Sequence, residues 1–289
     1  MNQMFFIKKS VFQQFRLFAL IFFIWFMNRF DSSIQNYISI VLLLSIGLWH
    51  GANDINLARS KYLSMSFWKV LGLYVLLLLT VGIIFLTIPK ITVLFLLLLS
   101  SYHFGSDFVF KVKNIVPPLG IGWMVLSTLF FINTTETQVI FQELLDIQLS
   151  DSLIQTNFYI SAVLGAGLLL YNAFRDRNYL FLISTVVLFL GFWSTDLITG
   201  FTAYFIFWHS IPSVIEQSVD HTWTEKLNVE AIKNFFRRSF LYYAISLVGV
   251  ILYFYLKSQT ISSGLTLVIL MVLSVPHVLV IDLFKRDAD

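Results

Sequence analysis

The stretch from Phe67 to Ile88, FWKVLGLYVLLLLTVGIIFLTI, decides the fold class of this chain. Its only charged residue, Lys69, lies near its start, and its apolar residues do not alternate with polar ones. About 20 mostly apolar residues in a helix cross the roughly 30 Å hydrocarbon core of a bilayer. The stretch is therefore predicted to cross a membrane as a helix, because a strand of a membrane barrel is shorter and alternates.

Similar apolar stretches recur along the whole chain. The composition agrees, since 58% of the residues are hydrophobic and 12% are charged, about half the charged share of a soluble protein. The sequence predicts an all-α, polytopic integral membrane helical bundle, with residues 1–289 forming a single transmembrane domain. The predicted spans are about 16–30, 34–51, 67–88, 91–110, 117–134, 155–174, 179–194, 198–216, 238–256 and 263–284.

The first of these ten spans has a second interpretation. Its apolar core from Leu17 to Met27 is short, as in a signal peptide. No cleavage site of small residues follows it, since Asn28-Arg29-Phe30 is unsuitable. The sequence therefore favours a retained helix.

The charges of the loops predict the orientation. With ten spans, all but three of the 19 Lys and Arg residues fall on the side of the N-terminus, the exceptions being Arg29, Lys90 and Lys257. The longest loop on the opposite side, about 135–154, contains acidic residues and no Lys or Arg. Because short basic loops stay in the cytoplasm, both termini are predicted to be cytoplasmic.

Four of the five histidines lie inside predicted spans: His50, His103, His209 and His277. Ionisable residues within a membrane are costly and often functional. All four lie on even-numbered spans that run in the same direction, and three of them lie about 12 Å from the cytoplasmic boundary at about 1.5 Å per residue. The pattern predicts that the four imidazoles bind one metal ion, whereas His221 is predicted to be interfacial.

An acidic residue follows two of these histidines at a spacing of four. Asp54 follows His50 and Asp107 follows His103. Residues four apart share a helix face, and imidazoles that bind a metal usually donate their other N–H to a carboxylate or carbonyl. Asp54 and Asp107 are therefore candidates to orient metal-bound imidazoles; the alternatives are charges at the membrane interface and histidine partners without a metal.

Prolines and aromatic residues accompany the histidines. Pro212 and Pro276 are expected to kink their helices and to open a cavity. Aromatic walls suit a conjugated apolar ligand, although aromatic residues make up 17% of the chain and ordinary packing is the simpler explanation. The flanking aromatic residues are Trp49, Tyr102, Phe104 and Trp208.

The absence of cysteine limits the metal chemistry. Thiolate sites and iron–sulfur clusters are excluded, so any metal has histidine, carboxylate or water ligands. Such ligands leave non-haem iron and zinc as the two main candidates. A cavity that faces lipid favours lipid substrates, and with them O₂ chemistry on iron.

Short motifs around the histidines resemble the Brp/Blh family of membrane carotene-cleaving oxygenases. His50-Gly51-Ala52-Asn53-Asp54 resembles its HGAxD motif, and Tyr102-His103-Phe104-Gly105-Ser106-Asp107 resembles its YHFG segment. Trp208-His209-Ser210 and Val275-Pro276-His277 resemble two later elements. The four pieces occur in order over about 230 residues of the chain, a pattern more specific than any single piece.

The resemblance implies an activity and a set of ligands. The implied reaction is cleavage of the central double bond of β-carotene by Fe(II) and O₂, which gives two all-trans-retinal molecules. The implied iron ligands are His50, His103 and His209. The family's fourth proposed ligand is the second histidine of an HSxxH motif, where this chain has Ser213, so the site has three ligands or His277 supplies the fourth. The resemblance also implies a carotenoid substrate in membrane lipid, a microbial rhodopsin as retinal acceptor, and a bacterial cytoplasmic membrane.

Two other functions remain open from the residues alone. One is a histidine–metal membrane enzyme that acts on a different isoprenoid or lipid. The other is a non-enzymatic transporter or carotenoid-binding protein, although the internal repeats of many transporters are not visible. The basic balance reflects cytoplasmic loops, so no nucleic-acid partner is predicted.

Overall fold

The computed structural model describes residues 9–61, 65–109, 114–176, 179–218, 229–257 and 263–286. Within these ranges every regular element is a helix, which confirms the predicted all-α polytopic class. The α-helices are α1 (Lys9–Met27), α2 (Ser32–Leu42), α3 (Leu48–Gly51), α4 (Asp54–Lys61), α5 (Phe67–Thr87), α6 (Pro89–Gly105), α7 (Val116–Ile132), α8 (Thr134–Leu145), α9 (Asp151–Asp176), α10 (Tyr179–Trp193), α11 (Leu197–Tyr204), α12 (Ile211–Ser218), α13 (Val229–Lys257) and α14 (Ser263–Arg286). Two π-helical turns (Leu43–Gly47 and Phe205–Ser210) and one 3₁₀ turn (Ser106–Phe108) complete them.

Each of the ten predicted spans is helical, but the helices differ in length. Seven in the described ranges are long and apolar enough to cross a bilayer, and an eighth is added if α7 and α8 count as one span. The apolar parts of α1 and α10, Gln14–Met27 and Leu182–Trp193, are shorter. At about 1.5 Å per residue, such short helices do not reach across the hydrocarbon core without tilted or snorkelling ends. The count of ten crossings and the cytoplasmic termini therefore stay predictions.

The segment predicted as the longest external loop, 135–154, contains a helix. Helix α8 follows α7 almost directly, and their axes are bent by 100°. Most of its apolar residues recur at helical spacing on one face, while its other face is exposed and carries Glu136 and Glu143. The prediction of a loop was wrong here because a short amphipathic helix lacks the long apolar run that marks a span.

Burial divides the helices into central and peripheral ones. The segment Leu197–Ser218 runs from α11 through the π turn to α12. In its apolar stretch, 78% is buried inside the protein. The corresponding share is 11% for α5 and 17% for α13. Since lipid tails are as apolar as leucine, exposed apolar side chains on the peripheral helices are expected in a bilayer. The segment that carries His209 is thus at the centre of the bundle.

Close packing fixes α6, which carries His103. Gly105 at the end of α6 lies against the backbone of α7, and a Cβ atom there would collide with the carbonyl of Pro118. Small residues allow such close approach of helices in membranes. Helix α14 packs against α3, α4, α5 and α6, and this contact brings His277 toward the other histidines.

Candidate metal centre

The four intramembrane histidines converge. One ring nitrogen from each of them lies within 4.8 Å of the other three, and all four side chains are buried. They come from four separate elements, namely α3, α6, the second π turn and α14. The similar depth of the four histidines in the sequence predicted this convergence, and the structure brings all four together.

Three of the imidazoles have their Nδ1 atoms occupied by acceptors. His50 Nδ1 donates to the carbonyl oxygen of Gly47. His277 Nδ1 lies 2.8 Å from Asp54 Oδ1, and His209 Nδ1 lies 2.9 Å from Asp107 Oδ2. Carbonyl and carboxylate oxygens only accept hydrogen bonds, so the proton of each neutral ring is on Nδ1. The Nε2 lone pairs of these three rings are consequently left to face the cluster, where His209 Nε2 lies 3.0 Å from His103 Nε2.

The two aspartates therefore contact imidazoles, but not those that the sequence predicted. Asp54 contacts His277 rather than His50, and Asp107 contacts His209 rather than His103. The prediction assumed continuous helices, whereas α3 ends at Gly51, before Asp54 begins a new helix. Likewise α6 ends at Gly105, so Asp107 lies in the 3₁₀ turn. Without an unbroken helix, the rule for residues four apart does not apply.

A tyrosine completes each of these pairs. Tyr74 donates its hydroxyl proton to Asp54 Oδ2 at 2.8 Å, which forms the inner triad Tyr74–Asp54–His277. It joins three helices, because its members lie on α5, α4 and α14. Neither this tyrosine nor its counterpart was predicted, since nothing in the local sequence distinguishes them from the other tyrosines.

The second set is the outer triad, Tyr204–Asp107–His209. Tyr204 donates to Asp107 Oδ2 at 3.1 Å, the oxygen that also faces His209 Nδ1. Tyr204 and His209 are five residues apart across the π turn. Because a π turn bonds residue i to residue i+5, it places both side chains on one face, which an α-helix does not do.

The other π turn is adjacent to His50. The two π turns contact each other, and the ring of Phe205 lies over Gly47, where an added Cβ would come within 2.8 Å of it. The Phe205 ring also meets the His50 imidazole edge-on, with centroids 5.3 Å apart. Glycine at this position therefore allows the two irregular turns, and with them His50 and His209, to approach.

The histidines form part of the wall of a large cavity. Its empty space, counted together with the space at its open mouth, amounts to about 950 Å³. Apart from the histidines, Asp54, Tyr74 and a few serines, the wall is apolar. Such a cavity suits a large apolar ligand that reaches the cluster from the lipid phase.

The donor set fits a metal ion. Two nitrogens that each lie about 2.1 Å from an ion are roughly 3 Å apart when they are neighbouring ligands, and His103 Nε2 lies 3.0 Å from His209 Nε2. Among the described residues, His277 Nε2 is buried and has no hydrogen-bond partner. An unsatisfied buried acceptor is costly, and a metal at the cluster would satisfy it.

Comparison with known proteins identifies the family. The sequence profile of the β-carotene 15,15′-dioxygenase family matches residues 41–285. The chain belongs to this family. A β-carotene 15,15′-dioxygenase from uncultured marine bacterium 66A03 is 27% identical over 267 residues, which are 87% of this chain and 94% of that protein. No solved structure matches the chain.

Membership in the β-carotene 15,15′-dioxygenase family confirms the resemblance to Brp/Blh proteins and makes the chain an oxidoreductase enzyme. The carotene-cleaving class also agrees with the apolar cavity beside the histidines. All four motif pieces that carried the resemblance lie inside the matched range.

Ser213, the departure from the family motif, is not part of the cavity wall that the four histidines line. Its hydroxyl oxygen accepts a hydrogen bond from Gln217 Nε2 at 3.0 Å. The same amide donates to the carbonyl of His50 at 3.2 Å. Ser213 is thus part of the support beneath His50, and His277 occupies the fourth position in the cluster.

Of the four aromatic residues that flank the histidines, one lines the cavity, whereas two pack against other rings, as the simpler explanation from sequence expected. Phe104 lines the cavity, but Trp49 stacks on Tyr243 of α13 at 4.0 Å, and Trp208 stacks on Phe108. The cavity's other aromatic residues were not singled out by sequence, because they do not adjoin a histidine; they are Tyr74, Phe130, Phe201 and Phe205. Tyr102 is absent from the cavity wall, and His221 lies outside the described residues.

Proposed function

We propose that this chain is a non-haem iron oxygenase that cleaves the central 15,15′ double bond of β-carotene with O₂ and releases two all-trans-retinal molecules. One carbon–carbon double bond breaks and two carbonyl groups form, so the two oxygen atoms are accounted for in the two aldehydes. The observation that carries the proposal is the buried four-histidine cluster in the wall of an apolar cavity. The family name supports the substrate.

The proposed ligands are His50, His103, His209 and His277, with Asp54 and Asp107 orienting two of them. Imidazole ligands suit several transition metals, and the reaction of the family favours Fe(II) among them. Ferrous iron bound here would supply the electrons for O₂ activation, which the side chains of the chain cannot provide. The hydrogen bonds at Nδ1 of His50, His209 and His277 support a role in which these three rings present Nε2 to the ion.

The remaining residues of the cavity are proposed to hold the substrate. Apolar side chains such as Leu126, Phe201 and Leu270 line it beyond the histidines, and they would exclude water from the reacting double bond. A rigid polyene loses little conformational entropy when it is bound, so packing against these walls suffices to orient it. Positioning the central bond beside the histidines is the main task of this chain.

We also propose the surroundings of the reaction. Membrane lipid would deliver the carotenoid, because both the substrate and the surface of the peripheral helices are apolar. The proposed location is the cytoplasmic membrane of a bacterium, with residues 1–289 acting as one domain and with a microbial rhodopsin as an acceptor of retinal.

Expression in a bacterium that accumulates β-carotene tests the proposal. Loss of β-carotene should be matched by two equivalents of retinal in solvent extracts, measured by chromatography. His221→Ala is the matched control, since this histidine is outside the proposed ligand set. Unchanged carotene with iron-replete, folded protein would overturn the activity.

Metal analysis of the purified protein separates this proposal from a carrier or a carotenoid-binding protein. The proposal predicts about one iron per chain when all four histidines are present. A carrier has no need of stoichiometric iron. Stoichiometric zinc in active protein would instead contradict the assignment of the metal.

A further inference from the structure

A second apolar cavity lies behind the first. Helix α8 turns one face toward it, and the space amounts to about 420 Å³ with no polar surface. The contributing side chains of α8 recur at helical spacing and are Thr137, Ile140, Phe141, Leu144 and Leu145. The amphipathic pattern of α8 is thus explained by a cavity inside the protein and not only by packing.

The two cavities adjoin each other. They share four lining residues, which are Phe130, Leu197, Leu267 and Met271. Leu267 and His277 are ten residues apart on α14, a distance of about 15 Å at the usual helical rise. An elongated molecule that lies along α14 would therefore have one part beside the histidines and its end beneath α8.

Helix α8 is fastened to the elements around it. The carboxylate of Glu136 accepts a hydrogen bond from the Leu197 N–H at 2.8 Å, at the start of α11. The Thr137 hydroxyl donates to the Phe130 carbonyl at 3.1 Å, and the Gln138 amide donates to the Leu149 carbonyl at 2.9 Å. These bonds hold α8 across the end of the cavity as a fixed stop.

We propose that the second cavity binds one terminal ring of the carotenoid and that α8 acts as the stop that sets which double bond lies beside the histidines. This inference rests on the proposed function, because it assumes a carotenoid substrate. A wholly apolar pocket suits a hydrocarbon ring, and it offers no partner for a polar end group. The distance between the stop and the cluster then selects the position of cleavage.

Filling the second cavity tests the inference. Leu144→Trp adds bulk to the inner face of α8, whereas Val139→Trp adds it to the outer face, where Val139 is 50% exposed. Two substrates are compared in detergent: β-carotene, with a ring at each end, and an apocarotenal that keeps one β-ionone ring and has a shortened aldehyde end. The shortened end of the apocarotenal stops before the pocket beneath α8, so this substrate needs no space there.

The inner substitution should lower kcat/KM for β-carotene by about tenfold or more, with a much smaller loss for the apocarotenal. The outer substitution should leave the ratio between the substrates unchanged. Leu144→Phe, a smaller addition, guards against misfolding and should give a partial change in the same direction. Metal-free protein provides a second readout, since Leu144→Trp should also weaken binding of β-carotene, as measured by its absorption spectrum.

The outcomes separate this inference from the proposed function. If the unmodified protein fails to cleave β-carotene, the proposed function fails. If it does cleave β-carotene but folded Leu144 variants discriminate between the substrates as the unmodified protein does, the ring site beneath α8 is wrong. Equal losses on both substrates would also overturn it, because they indicate general damage to the site.

Discussion

The inner and outer triads perform the same local task in different surroundings. In both, a tyrosine donates to a carboxylate that fixes a cluster imidazole. The side chain of Asp54 in the inner triad is 1% exposed, whereas that of Asp107 in the outer triad is 17% exposed. The outer acid also interacts electrostatically with Arg16, whose guanidinium lies over the Trp208 ring at 4.3 Å.

This difference indicates what holds each acid in place. A buried carboxylate depends on its hydrogen-bond partners, because desolvation penalises its charged form. Asp54 has two such partners from two other helices, so its position couples α4, α5 and α14. Asp107 is partly reached by solvent and has a cation near it. The inner triad is thus expected to be the more sensitive of the two to substitution.

Removing a histidine from either triad should have the largest effect. His277→Ala and His209→Ala each delete one proposed ligand and leave a buried space, so bound iron and retinal production should fall to background. Elemental analysis and retinal chromatography measure these losses. If His277→Ala retains iron and activity while His209→Ala loses both, the inner triad does not belong to the metal site.

Neutralising the acids should show which of the two triads contributes more to metal affinity. Asp54→Asn keeps the shape of the side chain but removes the charge that orients His277, and loss of such a partner typically lowers metal affinity roughly 10–100-fold. Asp107→Asn should cost less, because solvent reaches this position. Competition with a chelator gives the affinities in detergent. A larger loss for Asp107→Asn would contradict the ranking by burial.

Removing the tyrosine hydroxyls should again affect the inner triad more than the outer triad, but the difference between the two triads should be smaller. Tyr74→Phe leaves a buried carboxylate oxygen without its donor, which costs about 1–3 kcal/mol of stability. Tyr204→Phe also removes the donor to the Phe104 carbonyl, but water can reach the partly exposed Asp107, so a smaller loss of folding stability is expected. Thermal unfolding of the two purified variants checks this, with Tyr37→Phe on an exposed side chain as control. Equal shifts would show that exposure of the acid does not matter.

The sequence predicted this site correctly where the backbone is a regular helix, and wrongly where the helix is interrupted. The apolar runs predicted the helices because each run is long and uninterrupted, and the spacing of the histidines from the loop charges predicted their convergence. The partners of Asp54 and Asp107 were mispredicted because the helices break between each histidine and the acid that follows it. An interruption of two or three residues changes which neighbour a side chain contacts. A rule based on fixed spacing along a helix does not detect such interruptions.

Other features had no local signal at all. The π turn that aligns Tyr204 with His209 follows from packing between segments that are distant in sequence. Helix α8 was missed because its apolar face fits a cavity formed by α6, α7, α11 and α14, which exists only in the folded bundle. These contacts depend on tertiary structure, whereas hydropathy reports only how a segment interacts with lipid.

The smallest expected effect concerns the position where the family motif would place a histidine. Ser213→Ala removes the acceptor for Gln217, a loss of about 0.5–1.5 kcal/mol, but removes no proposed ligand. Gln217 can still donate to the His50 carbonyl, so iron content and activity should stay within about twofold of the unmodified protein. Iron analysis beside Gln217→Ala, which removes both contacts, separates support of His50 from ligation. Loss of iron in Ser213→Ala alone would place the serine in the metal site and exclude the assignment of the fourth position to His277.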